Sequence, residues 1–173
     1  MKNDQPLIYL VDDDEAVRDS LGMLFRSIGL QHEAYPSALD FLQRYDGKRH
    51  SCLVADIRMP GLSGLELQQR LNEQRAEIPI IFITGHGDVP MAVTAMKSGA
   101  ADFVQKPFRD QDLIDRIHKA LDRDRERRKG RAEEDAIRAR IALLTPREAE
   151  VMERVARGQA NKVIAMDLGV SQR

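Results

Sequence analysis

The sequence predicts a doubly wound α/β domain built on a five-stranded parallel sheet, followed by a smaller all-helical segment. Two observations carry this. Short strand-like runs alternate five times with stretches of helical spacing, and beyond Leu121 the alternation stops. Parallel neighbours require a crossover, and the usual crossover is a helix, so five repeats imply a parallel sheet covered on both faces.

The strand-like runs are LIYLV (7–11), HEAY (32–35), CLVA (52–55), PIIFI (79–83) and DFV (102–104). Between them, Glu15–Ile28 places Val17, Leu21, Leu24, Phe25 and Ile28 on one helical stripe. Ser37–Tyr45, Gly64–Gln74 and Asp88–Ser98 supply the next crossovers, with Asp88 as an N-cap and Pro90 in a first turn that tolerates it. A fifth helix starts after Pro107 and carries Leu113, Ile114, Ile117 and Leu121 at spacings of three and four. Residues 1–121 therefore form the first domain.

Residues 122–136, DRDRERRKGRAEEDA, offer no apolar side chain larger than alanine and cannot form a core. They read as a solvated helical extension supported by spaced opposite charges, or as a flexible linker interrupted at Gly130. The basic cluster RERRKGR invites a nucleic-acid reading, but acidic residues on both sides favour a solvated linker. The expected division is 122–143 as a charged helical linker and 144–173 as a helical domain.

Composition narrows the function. The chain has 173 residues, 42% of them apolar, with 27 Lys+Arg against 28 Asp+Glu, a balance that excludes a generic polyanion binder. The single cysteine, Cys52, sits in an apolar run, so no internal disulfide forms and a buried thiol is expected. No apolar export segment precedes Asp12, and no stretch approaches the roughly 18 apolar residues of a membrane span. A cytoplasmic protein without membrane partners is expected.

In a doubly wound sheet, ligands bind beyond the carboxyl ends of the strands. Asp12, Asp13 and Asp14 follow the first strand, Asp56 the third, Thr84 the fourth and Lys106 the fifth. Asp12, Asp13 and Asp56 gathered at one edge repel each other and need a cation. Oxygen ligands with no His or Cys nearby point to Mg2+. Lys106 offers a point charge to an anion, and Thr84 a hydroxyl to a phosphoryl oxygen. A carboxylate nucleophile, a metal, an ammonium and a hydroxyl together make a phosphoryl-accepting site. Each residue also has a plainer role, as helix cap, strand end or surface charge. Their coincidence at one edge argues against that.

VDDDEAVRDSL (11–21), DIRMPGLSGLEL (56–67) and ITGHGDVPMAVTAMKSGAADFVQKPF (83–108) resemble the receiver domain of two-component response regulators, across residues 5–121. The resemblance implies a flavodoxin/CheY-like strand order 2-1-3-4-5 and phosphorylation of Asp56 by a sensor histidine kinase. It implies Mg2+ held by Asp13, Asp56 and the main-chain carbonyl of Arg58, with Asp12 acting through water. Lys106 then contacts the phosphoryl group, and Thr84 and Phe103 form a switch pair. The GHGDVP loop is similar to that of FixJ-type regulators, which implies a homodimer formed on phosphorylation. The fourth helix, crowded with Met91, Val93 and Met96, offers a surface for it. Such a protein is not an enzyme with an external substrate: it catalyses phosphoryl transfer onto its own Asp56 and its slow loss. An Asp-based phosphatase would place a second aspartate as general acid at the position of Arg58, and an interaction module would not need the intact set of Asp13, Asp56, Thr84 and Lys106.

In the C-terminal segment, Thr145-Pro146-Arg147-Glu148 is a capping box with proline at the first helical position. Gly158 ends that helix, Asn161 is expected to cap the next, Gly169 ends it and Ser171 opens a third. LTPREAEVMERVARGQANKVIAMDLGVSQR resembles the opening of a LuxR-type helix-turn-helix domain, which implies transcription regulation through DNA. The sequence reaches only the first turn of the expected recognition helix. Base readout needs that helix, so sequence-specific DNA binding is expected of a longer parent and not of these 173 residues.

Overall fold

The computed structural model of the chain describes residues 5–85 and 89–169. The elements run β1 (Leu7–Val11), α1 (Glu15–Ser27), β2 (Gln31–Tyr35), α2 (Ala38–Arg44), β3 (Ser51–Asp56), α3 (Gly64–Glu73), β4 (Ile80–Thr84), α4 (Val89–Lys97), β5 (Asp102–Gln105), α5 (Asp110–Ala142), α6 (Pro146–Ala156) and α7 (Asn161–Leu168). All pairings are parallel and the strand order is β2-β1-β3-β4-β5. The chain divides into two compact units, Met1–Arg128 and Lys129–Arg173.

Alternation along the strands builds two cores. Leu7, Tyr9 and Val11 of β1 face one side with Leu53, Ala55 and Phe82, where Phe41 of α2, Leu67 and Leu71 of α3 and Ala95 of α4 cover them. Ile8 and Leu10 face the other side with Val54, Ile81 and Ile83, under Leu21 and Phe25 of α1 and Leu113 and Ile117 of α5. Cys52 is fully buried on this second side. The helices start where local chemistry directs: Asp14 caps α1, Ser37 caps α2, and Ser63 with Glu66 forms a capping box on α3.

The charged run after Leu121 departs from the solvated reading at one residue. Asp124 lies within α5 and its side chain is fully buried. It pairs with Arg127, and with Arg128 Nε at 2.8 Å, and accepts the Ser51 backbone N–H at 3.2 Å. Arg128 also donates to the carbonyls of Gly47, Lys48 and Arg49. His50 Nε2 meets the Leu121 carbonyl at 2.8 Å, and since a carbonyl only accepts, that ring nitrogen carries the proton. The first turns past Leu121 are thus tied to the loop between α2 and β3.

In the second unit, Thr145 and Glu148 form the capping box that starts α6, and Pro146 is its first residue. Gly158, at φ 77, follows the helix end and lets the Gln159 N–H reach the Arg154 carbonyl. The cap of α7 corrects the sequence expectation. Ala160 occupies the N-cap with no side-chain hydrogen bond, and Asn161 is already the first helical residue, one position too late to cap. Gly169 closes α7 in the left-handed conformation at φ 61. Arg154 joins the two helices by pairing with Glu150 and Asp167, both at 3.0 Å. The expected caps Asp88 and Ser171 lie outside the described residues. Among the described residues, no helix is long and apolar enough to cross a membrane.

Breaking a buried ion pair costs more than breaking an exposed one. Asp124→Ala is expected to lower unfolding free energy by about 2–4 kcal/mol in urea denaturation, because it removes a buried carboxylate with three partners. Glu134→Ala, which removes a 3.9 Å pair with Arg138 between two well-exposed side chains, is expected to change it by less than about 0.5 kcal/mol.

Candidate functional site

The register explains why the carboxylates meet. β1 and β3 are neighbours, with Val11 level with Ala55, so the residues that follow, Asp12 and Asp56, emerge side by side at the carboxyl edge of the sheet. Strand order reverses between β2-β1 and β3, which opens a crevice there. One carboxylate oxygen from each of Asp12, Asp13 and Asp56 can be chosen so that all lie within 4.8 Å of one another. Asp12 is buried, Asp56 half-buried and Asp13 exposed, so the cluster is a funnel from solvent toward the strand ends.

The β1–α1 loop has a defined path. Asp12 Oδ1 accepts the Asp14 N–H at 2.9 Å, and Asp14 Oδ1 accepts the Ala16 N–H at 2.9 Å. Arg18 reaches back from the opening of α1 and donates through Nη1 to the carbonyls of Asp12, at 2.8 Å, and Asp13, at 2.9 Å. Sequence reasoning missed Arg18. A signal did exist: the helix dipole disfavours a cation in an opening turn, so an arginine there calls for a compensating contact.

Beyond β3, Gly64 lies so close that a Cβ on it would sit 2.4 Å from the Asp56 carbonyl oxygen. Only glycine lets α3 start this near the end of β3. Asp13, Arg58, Met59, Ser63 and Met91 line a shared groove above the site.

Lys106 Nζ stands 3.8 Å from Asp12 Oδ2. The peptide between Lys106 and Pro107 is cis, and the Lys106 N–H donates to the Thr84 carbonyl at 2.8 Å. Thr84 is buried, and its hydroxyl donates to the Val104 carbonyl at a long 3.4 Å. Phe103, level with Phe82, shares the sheet face of Thr84 and is half-buried against the first core. Asp12, Asp13, Asp56 and Lys106 thus converge, while Thr84 and Phe103 lie along one face of the neighbouring strands.

Electrostatics fit a cation. Asp12 Oδ2 is buried with no hydrogen-bond partner. A buried carboxylate oxygen with an open lone pair is costly unless a ligand fills it. Burial raises the pKa of Asp12, against the Asp14 N–H and Lys106, which lower it. Burial also pushes Asp56 up to about 6, helped by the charges of Asp12 and Asp13 and opposed by Lys106. An all-oxygen donor set with surplus negative charge suits a hard divalent ion such as Mg2+. The residues present fit that group.

Comparison with known proteins agrees with this chemistry. Residues 8–118 match the response regulator receiver domain, and residues 142–173 match the luxR family of bacterial regulatory proteins. The chain is 48% identical over 166 residues to nodulation protein W of Bradyrhizobium diazoefficiens, covering 96% of this chain and 73% of that one. It is 45% identical to the transcriptional regulatory protein FixJ of the same organism, covering 96% and 81%. Among solved structures, the response regulator StyR superposes with a TM-score of 0.88 at 45% identity, over 97% of this chain and 85% of that chain.

The raised pKa of Asp56 has a consequence for stability. A carboxyl whose pKa is higher folded than unfolded binds its proton more tightly in the folded state, so stability falls as pH rises from its ordinary value of 3.8 to about 6. Asp56→Asn is therefore expected to be more stable than wild type at pH 7.5 in EDTA, by roughly 1 to 2 kcal/mol after discounting for solvent screening. Thermal melts should show the gap shrinking at pH 4.5, and again when millimolar Mg2+ is added to both proteins.

Proposed function

Because the chain belongs to the response regulators, we propose that Asp56 is its phosphoryl acceptor and that a phosphohistidine on a sensor histidine kinase is the donor. The observation that supports this most is the convergence of Asp12, Asp13 and Asp56 within 4.8 Å beside Lys106. A carboxylate oxygen of Asp56 attacks phosphorus. The P–O bond forms as the P–N bond of the donor breaks, and the departing imidazole takes its proton from solvent. Asp13, Asp56 and the main-chain carbonyl of Arg58 would hold Mg2+, with Asp12 acting through water, and the ion would supply neutralising charge for the crowded carboxylates and the transferring oxygens. Lys106 gives a charge-assisted hydrogen bond to a phosphoryl oxygen. No general acid for an external ester stands at Arg58, so the chain acts on its own Asp56 rather than turning over substrate.

The same reading extends to output. A phosphoryl group adds roughly −1.5 to −2 charge and three acceptor oxygens. The Thr84 hydroxyl, loosely held on Val104, turns toward it, and the Phe103 ring moves into the space vacated. Val89, Val93 and Met96 are exposed on α4 and supply the apolar surface for a phosphorylation-dependent homodimer. The LuxR-type segment points the output toward DNA and transcription regulation. The cycle runs in the cytoplasm.

Incubation with acetyl phosphate and Mg2+, followed by intact-mass spectrometry, is expected to add one phosphoryl group to wild type and none to Asp56→Asn. Lys106→Ala is expected to reduce the extent at least tenfold. Labelling retained in Asp56→Asn would overturn the assignment, and steady turnover of phosphate monoesters would point to a phosphatase instead.

A further inference from the structure

We propose that Arg18 is a positioning residue that preorganises the metal-binding carboxylates of Asp12 and Asp13; the proposal rests on the Mg2+-dependent acceptor site just described. Asp13 is exposed and sits on a loop, a setting in which a side chain ordinarily samples several conformations. Among the described residues, the hydrogen bond from Arg18 is the one that holds its carbonyl. The same Nη1 holds the carbonyl of Asp12. One guanidinium therefore fixes two successive peptide groups, and with them the directions in which both Cα–Cβ bonds leave the backbone. Arg18 is itself half-buried and belongs to the 13-residue helix α1, so the clamp is supported by a regular element and not by another loop.

Two effects of Arg18 on a cation oppose each other. Its charge repels a divalent ion, whereas its hydrogen bonds hold the ligands in place before the ion arrives. The guanidinium points at carbonyls and not at the carboxylate oxygens, so in the folded protein its charge is engaged with main-chain dipoles. Partners one shell away from a metal commonly change affinity by about 10–100-fold when removed. Positioning therefore outweighs repulsion, and the sign of the effect separates the two.

The test is titration of the whole chain with Mg2+ by isothermal calorimetry, beside a thermal melt in EDTA. Arg18→Ala is expected to bind Mg2+ about tenfold more weakly than wild type. Its extent of labelling by acetyl phosphate should be restored at saturating Mg2+. Arg18→Lys keeps the charge but loses the planar fork, and is expected to recover part of the affinity, a graded rescue that a role in folding alone would not give. Affinity equal to or tighter than wild type in Arg18→Ala would overturn the proposal. Should Arg18→Ala not fold, Arg18→Lys decides the matter: about threefold weaker binding supports the clamp, and unchanged binding overturns it. Wild type that binds Mg2+ yet takes up no phosphoryl group would sink the acceptor reading and leave the calorimetric test of Arg18 standing.

Discussion

The crowding of Asp12, Asp13 and Asp56 at one end of the sheet, two of them partly or fully buried, is the constraint around which the site is arranged. Two of these residues follow from strand register alone, because β1 and β3 are neighbours and end level. Nothing in the backbone can separate them. The surrounding structure answers with Lys106 at 3.8 Å from Asp12 and with the Asp14 backbone N–H on Asp12 Oδ1. These reduce the cost without cancelling it: burial, with smaller help from the charges of Asp12 and Asp13, still raises Asp56 to about 6, and Asp12 Oδ2 keeps no hydrogen-bond partner. The surplus negative charge is what a hard cation and then a phosphoryl group can exploit.

Asp124 shows that the unsatisfied state is a property of the site and not of buried aspartates in general. It and Asp12 are each 1% exposed. Asp124 has two arginines and a backbone N–H, and it holds the α2–β3 loop at the opposite edge of the sheet. A buried charge with its partners specifies structure; a buried charge short of partners specifies a ligand. The two ends of one sheet therefore divide those tasks between them.

The same contrast explains what was legible in the sequence. The five strands and their crossovers follow from period and composition, and even β2, largely solvent-facing in QHEAY, is placed by its flanking helices. The gathering of Asp12, Asp13 and Asp56 at one edge was legible because aspartates directly after apolar runs are chemically conspicuous. Asp124 was not, since it stands in DRDRERR, where charge type says nothing of which residue turns inward. Arg18 was hidden for another reason: its contacts run backward five and six residues around a helix start, a geometry no periodic pattern encodes. At α7 the difference is a single residue, with Ala160 taking the cap position that a side-chain rule assigns to Asn161. Propensity ranks residues for a cap, but backbone dihedrals decide where the cap falls.

How a charge placed on Asp56 would reach α4 depends on what restrains that helix. Gln68 of α3 is buried and donates to the Ala95 carbonyl at 2.9 Å, and Asn72 donates to the Ser98 carbonyl at 3.0 Å. Both contacts lie in the C-terminal half of α4 or just beyond it. Its N-terminal half presents Val89 and Val93 to solvent, and Met91 lines the groove above the carboxylates. That half is also anchored from below, since Ala92 is buried and Met91 packs against the first core. The apolar residues proposed for dimerisation span this helix, from Val89 at its start to Met96 beside the Gln68 contact.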